Sequence, residues 1–166
     1  MKKKVSILGI SVLAFALIFF VVPQVKADAT ITQAATSDVS SDSYDTGDSV
    51  ALPYILITEG VAGDIAIGSH VWTIPEGYVF DTAASAPDVV YSDTSLAGDS
   101  TATMDSTTMT ITTSAASTAV GTMKIGGTTP IKVKVSAGCP MASAGNIKMT
   151  GGTITGLDGT SIISGP

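Results

Sequence analysis

Apolar and polar residues alternate with a period of two through most of the chain beyond residue 50. Met109 and Ile111 fall on one side of their segment while Thr108, Thr110 and Thr112 fall on the other. Ile131, Val133 and Val135 alternate in the same way with Lys132 and Lys134. Such a pattern describes strands with one face buried and the other in water, as in antiparallel sheets. It predicts strands over Tyr54–Thr58, Asp64–Ile67, His70–Ile74, Val89–Ser92, Ser100–Met104, Thr108–Thr113, Gly121–Ile125, Ile131–Ser136, Asn146–Met149 and Thr153–Thr155. Gly, Pro, Asp and Ser separate these runs, and Asp105-Ser106 reads as the turn of a hairpin. No window beyond residue 27 has the three-to-four spacing of an amphipathic helix. Short strands at steady intervals with Gly-rich turns predict an all-β chain, an antiparallel β-sandwich or barrel. The abundant Thr agrees, because its β-branched side chain suits exposed strand positions.

Two segments precede this region. Met1-Lys2-Lys3-Lys4 is a positive start, Val5 to Val22 is an apolar run, and Pro23 ends it. Val25-Lys26-Ala27 then supplies suitable residues at −3 and −1 of a cut after Ala27. That order is expected of a secretory signal peptide over residues 1–27, so the chain is expected to be secreted or held at the cell surface. The rival is a retained anchor, since the run is close to the shortest that spans a bilayer. Membrane contact is expected only through this segment, if it stays uncleaved. Ser136-Ala137-Gly138-Cys139 looks like a lipobox but lies far too late in the chain. Residues 28–50, rich in Ser, Thr, Asp and Ala, read as a linker that cannot bury enough surface to offset ordering entropy. Residues 51–166 are then one domain, large enough to fold without disulfides. The final apolar pair Ile162-Ile163 suggests either a last strand or a break before another module.

Charge narrows the partners. The 166 residues carry 8 Lys plus Arg against 14 Asp plus Glu, a formal charge of −6, and only 13% are charged. Beyond Ala27 four lysines face 14 acids, giving −10, and arginine is absent throughout. Such a chain is a poor binder of nucleic acid, because phosphate contacts need clustered cations. One histidine and one cysteine exclude His-rich metal sites and an internal disulfide framework. No cofactor or metal site is expected beyond weak recruitment of divalent cations by the acidic surface. Asp42, Asp45 and Asp48 recur every third residue but lack the alternating ligands and distant Glu of a calcium loop.

The residues that could carry chemistry have simple structural readings beside them. His70, Trp72 and Ile74 share a strand face, which makes Trp72 a core anchor and His70 its neighbour. The functional alternative is a sugar-stacking platform of Trp72, Tyr78 and Tyr91, although the tyrosines, Tyr54 included, fall on different predicted strands. Glu59 and Glu76 are the only glutamates; a glycosidase pair would need a fixed separation of roughly 5–10 Å. Both adjoin glycines, where solvated acids belong. No Gly-x-Ser-x-Gly elbow surrounds a serine, and Gly126-Gly127 and Gly151-Gly152 read as turns. No catalytic residues are expected. Cys139 reads as an apolar filler in a loop, or else as a thiol that is free or paired with another chain. The Ser and Thr residues of 30–49 permit O-glycosylation.

Residues 55–80 run ILITEGVAGDIAIGSHVWTIPEGYVF, followed by Met109-Thr110-Ile111, Met123-Lys124-Ile125 and Pro130-Ile131-Lys132-Val133-Lys134-Val135. Over residues 51–157 this resembles β-sandwich modules of secreted and S-layer-associated bacterial proteins, broadly cohesin-like or Ig-like. The matching positions are mainly turn glycines and strand hydrophobics. The resemblance implies a structural or adhesive role at the cell surface and carries over no catalytic residue. No second module, anchoring repeat or LPxTG-type signal follows in the sequence, which leaves the mode of attachment open. Three readings result. The first is a non-catalytic surface module whose partners are wall or extracellular polysaccharide or other surface proteins. The second is a carbohydrate-binding module built on Trp72. The third is a filament subunit in which residues 28–50 add as a strand to a neighbour's sheet.

Overall fold

A computed structural model describes residues 27–33, 48–92, 100–136, 146–157 and 162–164. The signal segment up to Lys26, Asp42, Asp45 and Cys139 lie outside the described residues. The described chain is all-β, with no helix. No helix among these residues is long and apolar enough to cross a membrane.

Twelve strands are described: β1 (Thr30–Gln33), β2 (Val50–Ala51), β3 (Ile55–Thr58), β4 (Gly68–Thr73), β5 (Tyr78–Phe80), β6 (Val89–Tyr91), β7 (Ser100–Met104), β8 (Thr108–Thr113), β9 (Thr122–Ile125), β10 (Lys132–Val135), β11 (Asn146–Gly151) and β12 (Ile162–Ser164). They form sheets of order β1-β3-β9-β6, β2-β10-β5 and β12-β11-β4-β8-β7. Every pairing is antiparallel. The arrangement is sandwich-like: β1 lies beside β12 along one side, and β6 beside β7 along the other. There the Tyr91 hydroxyl meets Ser100 Oγ at 2.8 Å.

The alternation read from sequence sets which face is buried. β3, β9 and β10 each alternate buried and half-buried residues, turning Ile55, Ile57, Met123, Ile125, Val133 and Val135 inward. In the five-stranded sheet, register brings Met104, Met109, Trp72 and Met149 into one row across β7, β8, β4 and β11. Flexible thioethers therefore flank the indole, the kind of sulfur–aromatic packing that fills irregular cores. Trp72, Met109, Ile111, Met123, Ile125 and Ile147 are fully enclosed.

The structure differs from the sequence reading in four places, one for a local reason and three because distant strands supply partners. Residues 64–67 and 153–155 make only the single bridge Ile65↔Ile154 instead of strands. Asp64 bends the chain there by accepting bonds from the Gly60 and Val61 amides, both at 3.0 Å, next to a left-handed Gly63. Residues 30–33, inside the stretch read as linker, form β1 against β3. Val50, that stretch's last residue, begins β2. Tyr78–Phe80 forms β5, because β10 supplies a partner that no local pattern announces.

Candidate functional site

The residues singled out from sequence are dispersed. Trp72 sits in the five-stranded sheet, Tyr78 in the three-stranded sheet and Tyr91 in the four-stranded sheet. Trp72 has no exposed surface and Tyr78 retains 6%. Tyr91 is half-buried. A buried indole offers no face to a sugar ring, so the three do not form a stacking platform. Exposed Tyr54 instead receives the Lys124 ammonium 4.0 Å from its ring centre.

His70 is wholly enclosed beside Trp72. Its Nε2–H donates to the Ala66 carbonyl at 3.1 Å, which leaves Nδ1 as the unprotonated nitrogen. That atom has no hydrogen-bond partner and faces the backbone of Gly152. A Cβ on Gly152 would lie 2.8 Å from Nδ1 and 2.6 Å from the Ser69 carbonyl oxygen, and φ there is +106°. Only glycine fits this close, left-handed crossing, which follows the register shift between Met149 and Gly151. Burial lowers the imidazole pKa, and the Ala66 bond only partly opposes this. A neutral ring sealed in this way belongs to the core.

Glu59 corrects the expectation of a solvated turn acid. It is 3% exposed. Oε1 accepts from the Ile65 amide at 3.0 Å and from the Ser117 hydroxyl, and Oε2 accepts from the Gly121 amide at 3.1 Å. Ser117 Oγ in turn accepts from the Gly63 amide at 2.7 Å. This carboxyl ties the loop after β3 to the loop before β9. Its oxygens are committed to loop amides and a hydroxyl, which is architecture. Glu76 is exposed at a separate place described below. No group of three or more His, Cys, Asp or Glu side chains is placed to hold a metal among the described residues.

The feature that the structure does assemble is the outer face of the five-stranded sheet. Most inward positions of β4, β7, β8 and β11 are apolar or enclosed, and most alternate positions carry hydroxyls, with Val71, Asn146 and Lys148 as the exceptions. Register aligns Thr101, Thr112 and Ser69 in one row, Thr103, Thr110 and Val71 in the next, and Thr108, Thr73 and Lys148 in a third. Strand geometry spaces such positions about 4.8 Å across the sheet and about 6.8 Å along it. Neighbouring hydroxyls meet at 3.4 Å between Ser69 and Thr112, and at 2.7 Å between Thr73 and Thr150. At one end lies a groove of about 300 Å³ lined by Thr73, Ile74, Pro75, Glu76, Asn146, Lys148 and Thr150. The other described lysines lie elsewhere: Lys124 on β9, and Lys132 and Lys134 on β10, where Lys134 pairs with Asp81 at 2.8 Å. Lys148 is thus the one charge in the three rows. Sequence reading saw the Thr alternation in β8 but could not join it to β7 and β4, because the rows exist only once the strands are in register.

No protein-family model matches this sequence, and neither the curated proteins nor the solved structures compared with it give a significant match.

Proposed function

We propose that the protein is a secreted, non-catalytic β-sandwich module of cohesin-like character, structural or adhesive at the cell surface. It works through the hydroxyl rows of its five-stranded sheet. The carrying observation is the alignment of Thr101, Thr103, Thr108, Thr110, Thr112, Ser69 and Thr73 on one nearly uncharged face. Each hydroxyl can donate and accept. Each Thr is also stiff at χ1, so little side-chain freedom is lost on contact. An ordered, neutral, hydroxyl-bearing face suits a partner of the same chemistry, a cell-wall or extracellular polysaccharide with repeating hydroxyls. Export rests on the basic start, apolar run and small-residue cut site of residues 1–27. The non-catalytic reading is supported by the commitment of Glu59 and His70 to internal bonds.

Co-sedimentation with insoluble polysaccharides and purified cell walls tests this reading. The triple variant Thr103→Val, Thr110→Val, Thr112→Val keeps side-chain shape and strand preference but removes three hydroxyls. At about 0.5–1.5 kcal/mol per lost hydrogen bond, retention is expected to weaken at least about tenfold with the thermal midpoint little changed. Unaltered retention of the variant would reject the face as the working surface.

A further inference from the structure

The N-terminal arm occupies a cleft shaped to receive it. Ala29 is 4% exposed and donates its amide to the Thr155 carbonyl at 3.1 Å. Thr30, Ile31, Thr32 and Gln33 pair in turn with Thr58, Ile57, Leu56 and Ile55, and Ile31 packs against the core. A glycine lines the approach: a Cβ on Gly156 would fall 2.4 Å from Asp28 Cβ. These named partners of the arm all lie beyond residue 54. Without it, β3 would present an unpaired edge beside the enclosed Ile55 and Ile57, an arrangement that recruits other strands.

We infer that this cleft is an interaction surface for a second copy of the chain, and that copies exchange residues 28–33 across it. An arm from a neighbour carries the same sequence and makes the same contacts, so the choice between own arm and neighbour's arm is set by concentration. The chain between Gln33 and Val50 covers residues 34–49 and can reach about 50 Å when extended. A tether of this kind holds its arm at an effective concentration of order 1 mM. Dilute chains close on themselves. Copies crowded on a surface at comparable density exchange arms and become linked without any new interface. This linkage uses the β1–β3 edge and does not depend on the hydroxyl face.

Thr32 and Leu56 are direct partners with outward side chains, so a disulfide between them leaves the core intact. Chains beginning at Asp28 and carrying Cys139→Ser are made with Thr32→Cys or with Leu56→Cys, distinguished by mass. They are mixed in a glutathione redox buffer at about 10 µM and about 1 mM. The expected product is a mixed disulfide whose share of total chains rises about fiftyfold over that range, levelling off as the chains approach the tether's own effective concentration, and falls to background when the arm also carries Ile31→Asp. A chain carrying both cysteines should close on itself at the lower concentration and form interchain species at the higher. If that double variant gives only intrachain bonds at about 1 mM, and the mixture gives no mixed disulfide above its Ile31→Asp background, exchange does not occur.

Discussion

At the scale of single residues, the polar groups enclosed in this core connect it to solution pH. The His70 ring lies in the row next to Trp72, and burial lowers its pKa from 6.5. The unfolded chain therefore takes up a proton on His70 before the folded chain does. Stability is full above about pH 6.5 and declines as pH falls from there towards the lower folded value. Asp81 and Asp88 add a second decline further down. For Asp81, the bond to Lys134 outweighs the opposing effect of burial. For Asp88, burial pushes the pKa up, and the amides of Thr129 and Thr128 more than reverse it. Both carboxylates titrate below 3.8, so their stabilisation is lost only as pH drops through that region. Thermal midpoints measured from pH 8 to pH 3 should fall in two stages. His70→Gln should remove the upper stage and leave the lower. Of this, the strand face shared by His70 and Trp72 was legible in the sequence. The enclosure of Glu59 was not, because its partners Ser117 and Gly121 come from a loop more than fifty residues away.

Single elements were legible where their determinants are local. The β7–β8 hairpin appears with the bounds that alternation predicts, and its turn is held by one side chain. Asp105 Oδ1 accepts from the amides of Thr107 and Thr108, both at 2.7 Å, and Oδ2 from the Thr108 hydroxyl at 2.6 Å. Those bonds, led by the Thr108 hydroxyl, hold the carboxyl far below the usual carboxylate range. Asp105→Ala should lower the thermal midpoint and speed amide exchange in β7 and β8, because it frees donors that stop the hairpin from fraying. Exchange confined to wild-type rates would mean that the strands set the turn themselves. Strands β1, β2 and β5 escaped sequence reading for the opposite reason. Each exists because a distant strand offers an edge: β3 for β1, and β10 for both β2 and β5.

Over the whole molecule, the charge beyond Ala27 is −10, and of the described lysines only Lys148 lies on the hydroxyl face. Self-repulsion of that size should yield to screening. The thermal midpoint should rise as salt is raised to about 0.15 M, where charges more than about 8 Å apart no longer feel one another. Alternation along the sequence by itself determined that the described residues are all-β and which alternate positions of a strand face inward. These depend on the period of a single strand and need no neighbour. Tertiary structure decided the order of the strands, the alignment of separate Thr pairs into one face, the return of residues 28–33 to an edge, and the burial of Glu59. Each of those requires groups far apart in the chain to meet in register, and register is set by packing across the core and by the geometry of turns.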